Sequence, residues 1–70
     1  MDLGSQIRQL RTSQGITQAE LAFRIGVAPP LLCQWERNVK TPRLDNLEAV
    51  VNALGLRLSE FFRNVEDRVR

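Results

Sequence analysis

Ten basic side chains are the chemistry this 70-residue chain has to offer, and all of them except Lys40 are arginines. Arginine's planar fork matches phosphate oxygens two at a time, so the set suits a polyanion, although acidic residues hold the formal net charge to +2. Between residues 37 and 43, Arg37, Asn38, Lys40 and Arg43 cluster in one connecting stretch, as candidate phosphate contacts with a joint, strong salt dependence. Acid–base and metal chemistry find no comparable support. With no histidine and a single cysteine, Cys33, there is no zinc-finger ligand set, no histidine-based dyad and no internal disulfide. No glycine-rich loop is placed to cradle a phosphate, and no nucleophile, base and orienting group are placed to converge. The expectation is a binding domain with no catalysis, no cofactor and no metal.

The elements that must position these side chains are read best from residues 16 to 38. Thr17 followed by Glu20 is a capping box, with the Thr17 hydroxyl accepting from the N–H three residues on and Glu20 reaching back to the Thr17 N–H, so a helix starts near Gln18. Leu21, Ala22 and Ile25 share its inner face, and Gly26 stands where the chain must leave the helix with positive φ. Val27 plugs the turn, and a second helix carries Leu32 and Trp35 inward as far as Glu36, with Asn38 suited to the left-handed position beyond it. Two short helices across a tight turn form the layout that can set a helix in a DNA major groove.

Around this pair, Leu3, Ile7 and Leu10 mark a first helix over 3–14, with Gly15 as its C-cap. Pro42 follows an exposed basic connector and prepares a fourth helix whose apolar repeat is Leu44, Leu47, Val50, Val51 and Leu54. Leu56 and Leu58 lead into a fifth, around Ser59 to Phe62 and on through Val65, that sets at least one phenylalanine against the core, and residues 66–70 are expected to fray. Seventy residues hold one small domain, 1–70, and burial of about 60% of the unfolded surface limits its stability. No apolar run approaches the roughly 20 residues that span a bilayer. With one cysteine and no secretory or membrane segment, a reducing, cytoplasmic setting is the simplest expectation.

Over residues 3–63 the chain resembles the phage-repressor, Cro-like helix-turn-helix family, also called the xenobiotic response element family. The resemblance rests on Leu3-Gly4, Ile7-Arg8, Leu10-Arg11, Gly15-Ile16-Thr17-Gln18, Glu20-Leu21-Ala22, Gly26-Val27, Trp35-Glu36-Arg37, Pro42 and Ala53-Leu54-Gly55. It implies an all-α, compact five-helix bundle of the lambda-repressor-like type. It also implies a transcriptional repressor that binds a pseudo-palindromic operator as a homodimer, its recognition helices about 34 Å apart in the major groove. Members include antitoxins that repress their own operon, so a protein partner such as a toxin is a second expectation; the alternative function is a protein-interaction module that keeps the fold with weakened DNA readout.

Carried over by position, the family's base-reading sites fall on Pro29, Pro30 and Gln34, with Cys33 and Leu31 nearby. Gln18 corresponds to its phosphate-contacting glutamine, and Arg11 and Glu36 to a pair that forms an internal ion bridge. The chain departs from the family where a polar N-cap is usual at Ala28 and polar residues are usual at Pro29 and Pro30. Gln34 alone keeps an amide that can bond adenine N6 and N7, while the prolines and Leu31 suit thymine methyl groups or an apolar partner patch. Because proline has no N–H, two donors that a polar cap would satisfy do not exist. Pro30 should push Pro29 out of helical geometry, so the recognition helix is expected to begin at Pro30. Cys33 reads as a packing or DNA-facing residue rather than a redox sensor, and Arg8 and Arg24 as weaker candidate phosphate contacts, since basic residues on exposed helix faces are common without any partner. The resemblance puts the dimer contact near the C-terminal end of the bundle, at the fifth helix and the tail bearing Val65 and Val69.

Overall fold

A computed structural model describes residues 2–69, with side chains described for residues 2–63. Its order is α1 (Leu3–Ser13), α2 (Gln18–Ile25), α3 (Pro29–Glu36), α4 (Leu44–Ala53) and α5 (Leu58–Val69), an all-α bundle of the expected five helices. The inward residues are those of the 3.6-residue repeats: Ile7 from α1, Leu21 and Ala22 from α2, Leu32 and Trp35 from α3, Leu47, Val50 and Val51 from α4, and Phe61 from α5. They form one cluster, and Phe62 packs on Phe61 edge-to-face, with ring centroids 5.7 Å apart.

Local chemistry explains most of the boundaries. Asp2 caps α1 by accepting from the Ser5 N–H, and Thr17 caps α2 by accepting from the Glu20 N–H at 3.1 Å. The return half of the capping box differs from the sequence expectation, because the Glu20 carboxylate meets the Thr17 hydroxyl, at 3.5 Å, where the sequence aimed it at the Thr17 N–H. At α5, Glu60 does reach back, accepting from the Arg57 N–H at 3.0 Å. Gln14 serves a helix other than its own, its Nε2 donating to the otherwise orphaned Leu54 carbonyl at the end of α4, at 2.7 Å.

Three boundaries depart from the sequence reading. α1 ends at Ser13, with Gln14 as its C-cap and Gly15 beyond. α5 starts at Leu58 and its backbone runs to Val69, past the expected limit at Val65. α3 begins at Pro29, not Pro30. Ala28 takes the extended conformation (φ −69°, ψ 136°), and its carbonyl accepts from the N–H groups of Leu31 at 3.0 Å and Leu32 at 3.4 Å. The steric rule that each proline imposes on its predecessor is thus met at Ala28 and overridden at Pro29, where the preset φ and the completed first turn favour the helix.

The start of α1 lies directly against the end of α3. A Cβ built on Gly4 would fall within 2.6 Å of the Glu36 carbonyl oxygen and 2.8 Å of Asn38 Oδ1, and would strike the Trp35 carbonyl oxygen as well. The positive end of one helix dipole therefore abuts the negative end of another, a favourable arrangement that only a residue without a side chain permits.

Candidate nucleic-acid interface

Between α2 and α3 the chain reverses in a turn that Gly26 closes, with φ 75° and ψ 32°. The Val27 N–H then reaches back to the Ala22 carbonyl at 3.0 Å, the six-residue closure of a Schellman end, which fixes the angle at which α3 departs. Leu32 and Trp35 bury the inner side of α3, leaving Pro29 and Pro30 exposed and Cys33 and Gln34 half-buried on its outer side. Leu31 also packs partly against the core. α3 has no side-chain N-cap, and its two prolines occupy the first two positions, where the missing N–H groups would have been orphaned in any case.

The far end of α3 is held by charge. Arg11 Nε donates to Glu36 Oε2 at 2.7 Å and Nη2 to Oε1 at 2.9 Å, a two-pronged pair, while Nη1 donates to the Ile16 carbonyl at 2.8 Å. Both residues are buried, Arg11 at 8% and Glu36 at 5% exposure, and this is the only ion pair among the described residues. Hydrogen bonding to Glu36, opposed by burial and aided by the carboxylate's charge, raises the Arg11 pKa above its ordinary value, so the guanidinium stays charged. Gln18 joins the pair, its Nε2 donating to Glu36 Oε1 at 3.0 Å. One carboxylate thereby ties together α1, the N-terminus of α2 and the C-terminus of α3.

The connector presents its cations outward. Arg37, Lys40 and Arg43 are all exposed, and the buried Pro42 anchors the stretch, near Leu3 of α1 and Trp35 of α3. Asn38 takes the left-handed position, φ 61°. Its side chain turns inward to α1: Oδ1 accepts from the Gly4 N–H at 3.1 Å and Nδ2 donates to Asp2 Oδ1 at 2.6 Å. Sequence reasoning missed this clasp, since the left-handed turn is a local property of asparagine while its partners lie 34 and 36 residues away.

The clasp also makes the domain's acid response predictable. Bonds from the Ser5 hydroxyl, the Ser5 N–H and Asn38 lower the Asp2 pKa from 3.8 to about 2. A depressed carboxylate pKa contributes stability that is complete above the unfolded value and is lost as pH falls toward the folded one. The stability gap between the wild type and Asp2→Asn should therefore be constant above about pH 5 and shrink between pH 4 and pH 2 in parallel thermal melts. A gap that is flat through that window would remove Asp2 from the clasp.

A five-helix bundle with a tight-turned helix pair, a braced third helix and a basic connector defines a helix-turn-helix domain. The chain belongs to the helix-turn-helix family, whose profile matches residues 7–61. It is similar to the immunity repressor protein of Bacillus phage phi105, 36% identical over 84% of this chain and 41% of the relative. It is also similar to the cryptic phage CTXphi transcriptional repressor RstR of Vibrio cholerae, 28% identical over 93% of this chain and 59% of that protein. The chain thus spans about half the length of these curated relatives. Among solved structures, SinR, the master regulator for biofilm formation, in complex with DNA, superposes with a TM-score of 0.78 at 34% identity, covering 86% of this chain and 97% of that one.

Proposed function

We propose that this domain binds double-stranded DNA with α3 in the major groove and acts as a transcriptional repressor, as a homodimer on a pseudo-palindromic operator. The observation that carries the reading is the bracing of α3 at both ends, by the Gly26 turn and by the Arg11–Glu36–Gln18 network, with its uncovered side flanked by the exposed cations Arg37, Lys40 and Arg43. A rigidly presented helix carrying one adenine-reading amide and two apolar prolines, next to a polybasic connector, can divide specificity and affinity between separate residues. The likeness to SinR, a chain solved on DNA, and to two phage repressors supports the same reading. The family resemblance supports a dimer contact near the end of α5, where Val65 and Val69 lie outside the described side chains.

The first test is selection of sites from a random duplex library at physiological salt, followed by titration of the best site at several salt concentrations. A two-fold symmetric site with a steep salt slope is the expected result. No enrichment and no salt-dependent affinity would transfer the exposed prolines to the protein-interaction reading, with a partner such as a toxin. On the selected site, Gln34→Ala should cost about 1–3 kcal/mol at one base position and relax preference there, whereas Lys40→Ala should weaken every duplex alike and flatten the salt slope by about 1. Equal, sequence-blind losses from both variants would refute the division of roles.

A further inference from the structure

Backbone bonds hold the first part of the basic connector to α3: the Gln34 carbonyl accepts from the Val39 N–H at 2.9 Å and from the Lys40 N–H at 3.3 Å. The far part is held by the buried Pro42. Between them lies a small open cavity of about 50 Å³, lined by Leu3, Trp35, Asn38, Lys40, Thr41 and Pro42. The Lys40–Thr41 segment thus arches over unfilled space, where packing gives it little support. Its link to α1 is the Asn38 side chain, which accepts from the Gly4 N–H at 3.1 Å and donates to Asp2 Oδ1 at 2.6 Å. Asn38 stands one residue after Arg37 and two before Lys40, both exposed cations.

We infer that Asn38 and Asp2 are positioning residues for DNA binding, their clasp holding the connector in the pose from which Arg37 and Lys40 meet the phosphates. The inference rests on the DNA-binding reading, and it gives Asn38 a role other than the direct phosphate contact expected from sequence. A connector free to leave that pose binds only in the fraction of molecules that hold it, and the apparent affinity falls by the same fraction. On charge alone, Asp2, exposed at the start of α1, disfavours a polyanion beside it. It helps binding only through the bond it makes to Asn38, so removing the carboxylate and removing the bond have effects of opposite sign.

The test is a double-mutant cycle of Asn38→Gly with Asp2→Ala, joined by the conservative variant Asp2→Asn. Each is titrated against the selected duplex and an unrelated one, at a temperature where circular dichroism shows all of them folded. Glycine keeps the left-handed backbone at position 38, φ 61°, and removes only the side chain. Asn38→Gly should bind both duplexes about fivefold more weakly, the scale of one net hydrogen bond, with its salt slope unchanged because every cation remains. Asp2→Ala should bind about threefold more weakly, and the double variant no more weakly than Asn38→Gly alone. Asp2→Asn keeps an oxygen for the Asn38 amide and drops the charge, so it should bind at least as tightly as the wild type. If Asn38→Gly and Asp2→Ala melt earlier yet bind as the wild type does, the clasp serves only the fold, and the inference is overturned while the DNA reading stands. Tighter binding by Asp2→Ala would overturn it too, returning Asn38 to a direct phosphate contact, as would equal weakening by Asp2→Ala and Asp2→Asn. A wild type that binds no duplex would overturn both readings.

Discussion

Glu36→Ala should leave the domain barely folded at 37 °C. The substitution removes the acceptor of three hydrogen bonds at once, from Arg11 Nε, Arg11 Nη2 and Gln18 Nε2, at 2.7, 2.9 and 3.0 Å. It also leaves the Arg11 guanidinium, still charged, at a site only 8% exposed. Breaking a buried pair by removing one partner costs about 3–5 kcal/mol, against a total stability of about 3–10 kcal/mol for a chain of this size. The melting temperature, followed by far-ultraviolet circular dichroism, should fall by at least about 12 °C. Replacing both partners, Arg11→Met with Glu36→Leu, should recover much of the loss, because no stranded charge remains and apolar groups fill the space. A melting temperature for Glu36→Ala within a degree or two of the wild type would mean that the pair does not brace α3.

Gly4→Ala sets two physical effects against each other. On helix propensity alone, alanine inside α1 should stabilise by about 1 kcal/mol. Packing opposes this, since the added methyl would meet the backbone carbonyls of Trp35 and Glu36 and the Asn38 side chain, the last two at 2.6 and 2.8 Å. Carbonyls at the end of a helix cannot turn aside as a flexible side chain can, so α1 must lift away and the bond from the Gly4 N–H to Asn38 is lost. Overpacking of this kind costs about 1–3 kcal/mol even after local relaxation. With the lost hydrogen bond, worth about 1 kcal/mol, offsetting the propensity gain, the expected outcome is a net fall in melting temperature of about 4–24 °C, together with weaker DNA binding as the loop after α3 loses its clasp. A rise in melting temperature would show that propensity wins and that the two helices are not in close contact here.

Much of the fold was legible because helix ends are written in local chemistry. Thr17, Gly26, Pro42 and Gly55 each act on neighbours within a few residues, and the elements between them carry apolar repeats that identify their own buried faces. The reading slipped where two local rules competed or no signal was present. At Pro29-Pro30 the proline's effect on its predecessor pulled against its aptness for a helix start, and the completed turn on the Ala28 carbonyl decided the matter. The length of α5 had no stop signal, since neither glycine nor proline follows Gly55.

The candidate site divides in the same way. Residue types alone, many arginines with no histidine and a lone cysteine, were compatible with an anionic partner and offered no catalytic set, because a side chain's chemistry does not depend on its neighbours. Which cations remain available is a different kind of fact. Arg11 and Arg8 lie three residues apart on one helix, yet one is buried against Glu36 and the other faces an open groove, a distinction set by a carboxylate 25 residues from Arg11 in sequence. Asn38 shows the converse, a polar residue in the basic connector whose amide is taken up by Asp2 and Gly4. Sequence by itself determined the helices and their inward faces, which follow from short-range sterics and side-chain type. Only the tertiary structure decided which polar groups brace the domain and which are left to bind, because that depends on what burial brings together from distant parts of the chain.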